Sequence, residues 1–116
     1  MNTKNVDQDF ESLTLDILDG DRKSLLLFFE ARAVDHGGTV DTIHMNKDDM
    51  AIAEAWNSSG FIRFGRIMNK YHADVKASHW VRLSNKALAL AQEERRNKLF
   101  RTWERRTWEM TEEKNS

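Results

Sequence analysis

The sequence of 116 residues contains no cysteine, no proline and only five glycines. Without cysteine, disulfide bonds and thiolate chemistry are excluded. No run of 18 apolar residues occurs, so we expect no membrane-spanning helix. The first twelve residues are acidic and polar and lack the apolar core of a signal peptide, so we expect a cytoplasmic protein. Because no glycine-rich phosphate loop, nucleophile elbow or zinc-protease motif is present, we expect neither enzyme activity nor a cofactor.

Charge is distributed unevenly along the chain, although the net charge is only −1. Residues 1–60 hold twelve acids and five bases, a net charge of −7, whereas residues 61–116 hold seven acids and thirteen bases, a net charge of +6. Such asymmetry indicates a surface for nucleic acid or an acidic partner. The alternative is that the two halves attract each other.

Three helices are predicted before a hairpin, over residues 7–19, 22–35 and 47–57. Gly20 is expected to end the first helix, and Asp21 to cap the second. The third has Asn46 as its expected N-cap, with Asp49 three residues later. Residues 39–45 are β-prone and predict a short strand at the edge of a sheet.

Residues 61–64 and 79–83 have the aromatic and β-branched composition of strands and predict an antiparallel hairpin. Alternation places Ile62 and Phe64 on a buried face, opposite Arg63. The connection over residues 66–78 is long and mostly basic, as in the wing of a DNA-binding domain. A metal site combining His72, Asp74 and His79 is disfavoured, because such polar residues are common on surface loops.

One long helix is predicted from residue 85 to about residue 110. Its last part interleaves arginines with aromatic residues, and four apolar side chains are candidates for a partner or dimer interface: Leu99, Phe100, Trp103 and Trp108. The alternative is an amphipathic helix that packs on the rest of the chain while its charges are solvated.

The segments AIAEAWNSSGFIRFGRI and HWVRLSNKALALA resemble those that flank the wing in winged helix-turn-helix regulators. The resemblance covers residues 22–92 and implies a winged-helix-like α+β fold, mostly helical, with three N-terminal helices, a small antiparallel β-hairpin wing and a long C-terminal helix. The family places two helices between its short first strand and its wing, whereas this chain has room for one. That helix carries Lys47, Asp48, Asp49 and Glu54, and the two acids in its first turn would face phosphate unfavourably.

Residues 1–92 are therefore predicted to form the domain, and residues 93–116 an extension of its last helix. The predicted function is a non-enzymatic DNA-binding regulator of prokaryotic or phage type, forming a homodimer and binding double-stranded DNA. Its candidate nucleic-acid contacts are Arg63, Arg66, Lys70, Lys76 and Arg82. The alternative is a phage- or plasmid-encoded interaction module that binds a host or replication protein.

Overall fold

A computed structural model describes residues 9–68 and 77–115, with side chains for residues 10–68 and 77–106. Within these residues the fold is α+β and mostly helical, with three α-helices and a three-stranded antiparallel sheet, which confirms the predicted class. The helices are α1 (Gly20–Asp35), α2 (Lys47–Ser59) and α3 (Asn85–Asn115). The strands are β1 (Thr39–Val40), β2 (Ile62–Arg66) and β3 (His79–Leu83).

The helix predicted for residues 7–19 is wrong where the structure describes it. Two 3₁₀ turns occur there, at Asp9–Ser12 and Leu15–Ile17. Leu15 and Leu18 are buried, whereas Ile17 is 62% exposed, so the apolar spacing that suggested one helical face does not form one. Two α-helices rather than three therefore precede the hairpin in the described residues.

Helix α1 begins at Gly20, earlier than predicted, and its N-cap is Asp19 rather than Asp21. The Asp19 carboxylate accepts from the Arg22 backbone N–H at 2.9 Å and pairs with the Arg22 side chain. The backbone hydrogen bond from Arg22, aided by the charge of its guanidinium, holds the pKa of the Asp19 carboxyl below its ordinary value.

Helix α2 begins at Lys47, as its sequence predicts, and ends at Ser59, two residues beyond the predicted end. Asn46 Oδ1 accepts from the Asp49 N–H at 2.7 Å, and the Asp49 carboxylate accepts from the Asn46 N–H at 3.2 Å, which forms a capping box. Gly60 ends the helix in the left-handed conformation, at a φ of 86°.

The strand order is β1-β3-β2, with both pairs antiparallel, so the predicted hairpin and edge strand are present. The edge strand covers only Thr39–Val40, because a 3₁₀ turn follows at Thr42–His44. The inner face of the sheet packs on the helices and contributes these buried residues: Val40, Ile62, Phe64 and Val81. Fully buried Phe29 of α1 meets the Phe64 ring at 5.6 Å between centroids.

Helix α3 packs on α1, and its buried residues Ala87, Leu90 and Ala91 belong to the core. One turn further on, Arg95 donates through Nε to buried Glu30 of α1 at 2.8 Å. From Lys98 to Arg106 every residue is exposed, so this part of the helix extends beyond the packed core of the domain. In the described part of the chain, none of the helices has the length and apolar content needed to span a bilayer.

Candidate functional site

The side of the sheet turned away from the core is called here the outer face. Strand alternation places five residues on it: Thr39, Arg63, Gly65, Trp80 and Arg82. None of them is acidic, and both arginines are exposed. Among the described residues, no ion pair involves either arginine. The outer face is therefore an uncompensated positive surface.

Arg63 and Arg82 lie directly opposite each other on β2 and β3. Facing residues of an antiparallel pair have Cβ atoms about 4.5–5.5 Å apart, so like charges at such positions destabilise the sheet. The fold keeps this repulsive pair on a face where no carboxylate relieves it. An anion bound between the two guanidinium groups would remove the repulsion.

Trp80 lies opposite Gly65, one pair further along the hairpin. Its indole occupies the space above the glycine, because a Cβ at Gly65 would stand 2.8 Å from Trp80 Cζ2 and 3.1 Å from Nε1. Covering an internal strand glycine with a cross-strand aromatic ring stabilises a hairpin. The indole nevertheless stays 41% exposed beside Arg82.

A groove of about 380 Å³ opens beside this tryptophan, lined by Trp80, Val81, Arg82 and the Gly37–Gly38 turn. It adjoins a second groove of about 330 Å³, where Ala33, Val34, Leu83 and Leu88 add an apolar lining. The turn is held in place because Gly38 N–H donates to Arg32 O and Gly38 O accepts from Val81 N–H, each at 2.8 Å.

Of the predicted nucleic-acid contacts, the structure brings together Arg63 and Arg82. Arg66 is exposed, but strand alternation places it on the other face of the sheet, where it pairs with His79. The long basic connection was expected to supply Lys70 and Lys76, and both lie outside the described residues.

The exposed charged residues of helix α2 are mostly acidic, with Asp48 and Glu54 against Lys47. On the same helix, Asn57 Oδ1 accepts from the Phe64 N–H of β2 at 2.9 Å. This helix therefore anchors the hairpin and has little to offer to phosphate.

The predicted partner interface lies on the exposed part of α3. Leu99, Phe100 and Trp103 are 58%, 52% and 63% exposed, and the side chain of Trp108 lies outside the described part. At 100° per residue, these three point to the side of the helix opposite Leu90 and Ala91, which pack on the core. These three residues therefore form an apolar stripe that faces away from α1.

Sequence reasoning did not assign Trp80, Gly65 or the Gly37–Gly38 turn to a site. Two signals were present: an isolated glycine within a strand often marks a close approach, and alternation put Trp80 in phase with Arg82. The pairing of Trp80 with Gly65 and the proximity of the glycine turn depend on register and tertiary packing.

Within the described ranges, no group of three or more His, Asp or Glu side chains could hold a metal ion. The chain matches none of the protein-family models, curated proteins or solved structures with which it was compared.

Proposed function

We propose that this protein is a small non-enzymatic DNA-binding regulator of prokaryotic or phage type. Double-stranded DNA is held against the outer face of the sheet and the basic connection that follows β2. The observation that carries the proposal is the facing pair Arg63 and Arg82, exposed and without an acidic partner on that face. Arginine binds phosphate through a fixed fork of donors, and two forks side by side suit a nucleic-acid backbone.

The fold supports this function as a winged-helix-like domain over residues 1–92, with the hairpin as its wing. Its short first strand pairs with the second strand of the hairpin and completes a small sheet, as such a wing requires. Between β1 and α2 the chain has a 3₁₀ turn where the family has a helix. Since the exposed charged residues of α2 are mostly acidic, the proposal assigns the main contacts to the hairpin rather than to a helix in the major groove.

The salt dependence expected of this contact follows from counterion release. Two neutralised phosphates give a slope of about −1.8 in log affinity against log salt, so affinity falls about twelve-fold over a four-fold rise in salt. Lys70 and Lys76 would make the slope steeper. The proposed contact is therefore weak at high salt and insensitive to base sequence.

The test is a titration of a labelled mixed-sequence duplex at about 50 mM and about 200 mM salt. We expect at least about a ten-fold loss of affinity at the higher salt. Arg63→Gln and Arg82→Gln should each reduce the slope by about 1. Lys23→Gln, at the opposite end of α1 from the outer face, is the charge-matched control and should leave the slope unchanged. Absence of binding at the lower salt, or an equal effect of the control, would refute the proposal.

A second candidate function is a protein-interaction module that binds a host or replication protein. Its support is the apolar stripe of Leu99, Phe100 and Trp103, which is exposed and lies opposite the packed side of α3. Exposed apolar patches of this kind tend to mark interaction sites. Residues 93–116 would be the binding segment, and a second copy of the chain is one candidate partner.

If the second candidate function is correct, complex formation depends on the apolar stripe of α3 and not on the arginines of the sheet. Light scattering should report a homodimer that Trp103→Ala dissociates, or a pull-down should recover a stoichiometric partner that the same variant loses. Thr102→Ala, an exposed neighbour on another side of the helix, is the control. A monomer without a stoichiometric partner would count against the module.

A further inference from the structure

We propose that the groove beside Trp80 binds an unpaired nucleobase, so that the outer face holds single-stranded nucleic acid more tightly than duplex. This inference rests on the proposed function, which has nucleic acid on this face, and goes beyond it by naming a single strand, rather than a duplex, as the tighter ligand. The occupant is a single strand whose base stacks on the Trp80 indole and whose phosphates contact Arg63 and Arg82.

The first support is the position of the indole. Trp80 fills the space above Gly65, which fixes one side of the ring, and 41% of the residue is left exposed toward the outer face. A base that stacks on an aromatic ring needs such a pre-positioned surface, and stacking tolerates any base because every base has a π-face. In a duplex the bases are stacked on each other and cannot reach the ring.

The second support is the groove itself. Its volume of about 380 Å³ falls within the range of small-ligand sites, roughly 300–1,000 Å³. Along one wall stands the Gly37–Gly38 turn, at φ values of 65° and 85°, where no side chain restricts the approach of a ligand. Two backbone hydrogen bonds keep that wall in place, one donated by Gly38 N–H to Arg32 O and one accepted by Gly38 O from Val81 N–H, so the groove exists before a ligand enters.

The third support is the charge around the groove. Arg82 lines it, and Arg63 faces Arg82 across the strands. Arg32 lies at the β1 edge, where its Nε donates to Thr39 O at 2.6 Å. The two arginines of the outer face, with no carboxylate on that face, suit a polyanion, whereas a neutral apolar ligand would leave the guanidinium repulsion in place. This complementarity is why a nucleic-acid strand is the occupant proposed.

The test compares labelled strands of about ten nucleotides with a duplex of the same length, by fluorescence anisotropy at low salt. A decamer of abasic sites keeps every phosphate but offers no base, so it probes stacking without altering the protein. We expect a thymidine decamer to bind more tightly than the duplex, and the abasic strand to bind between about five- and a hundred-fold more weakly than the thymidine decamer.

The protein variants separate this inference from the proposed function. Trp80→Leu should weaken single-strand binding by at least about five-fold, Trp80→Phe should restore most of it, and neither should change duplex binding beyond about two-fold. Arg63→Gln should weaken both. If the abasic and thymidine decamers bind equally, the base-stacking inference is overturned while duplex binding by the arginines stands. If duplex binding is also absent, the proposed function fails as well.

Discussion

Because Arg63 and Arg82 face each other, a substitution that weakens DNA binding should at the same time stabilise the fold. Arg63→Glu converts a like-charge pair with Arg82 into an opposite-charge pair at the same cross-strand position. Removing the repulsion and gaining an attraction should raise the free energy of unfolding by about 0.5–1.5 kcal/mol. At about 2.1 cal/mol/K of unfolding entropy per residue, a chain of 116 residues gains about 4 °C per kcal/mol. The melting temperature should therefore rise by about 2–6 °C.

Urea and thermal unfolding measure this gain, and two controls isolate its origin. Arg63→Gln removes only the repulsion and should give about half the effect. The double variant Arg63→Glu with Arg82→Glu restores a like-charge pair, so its stability should return toward that of the wild type. Since the pair is exposed, about 1 M salt should remove most of the differences.

The same Arg63→Glu protein should bind duplex DNA at least about ten-fold more weakly at low salt, because a carboxylate replaces a phosphate contact. Stability and affinity thus move in opposite directions. A loss of stability in Arg63→Glu, or the absence of coupling in the double variant, would show that the two side chains do not face each other and would refute the reasoning.

Three further predictions concern the stability of the fold. Gly38→Ala should cost about 2–4 kcal/mol in urea unfolding, because its left-handed φ disfavours a side chain and the new Cβ would meet Val81 O at 2.8 Å. Gly37→Ala, with a left-handed φ but open space, should cost only about 1 kcal/mol, and equal losses would contradict the packing described. Asn46→Ala should cost about 1 kcal/mol through loss of the capping box, and a neutral result in the same assay would contradict that role. Asp19→Ala should lower the melting temperature near neutral pH. Because the pKa of this carboxyl in the folded protein lies below its ordinary value, the difference should shrink as the pH falls below that ordinary value, and a pH-independent difference would count against the cap.

Much of the scaffold follows from local chemistry in the sequence. The capping residues of α2 satisfy each other's backbone groups, so Asn46 and Asp49 define its start without tertiary information. Period-2 alternation correctly separated exposed Arg63 from buried Ile62 and Phe64. These predictions held because the interactions span only a few residues.

The start of α1 and the segment before it were predicted wrongly because two local preferences compete there. Gly20 has a low helix propensity, yet Asp19 is a strong N-cap, and the cap hydrogen bond to the Arg22 N–H outweighs the cost of the glycine. Phe10 lies in the first 3₁₀ turn, where its ring packs on the Phe61 ring, 6.3 Å away between centroids. Tertiary packing therefore overrides spacing in this region.

The groove beside Trp80 depends on the register of the strands, which the sequence does not determine. The connection between β2 and β3 is too long for a standard turn to fix which residues pair, and a shift by one residue would reverse the faces. Only the folded register places Trp80 over Gly65 and brings the Gly37–Gly38 turn beside it. The arginines could thus be predicted, whereas the groove between them and the turn could not.

The indole N–H resonances of the tryptophans offer the most direct test of the central claim, that nucleic acid binds the outer face of the sheet. Trp56 is buried, Trp80 lies on the outer face, and Trp103 is on the exposed part of α3. In an NMR titration with a thymidine decamer, we expect the Trp80 resonance to shift at the lowest additions while those of Trp56 and Trp103 stay in place. A shift of Trp103 with Trp80 unchanged would contradict the claim and assign binding to the terminal helix.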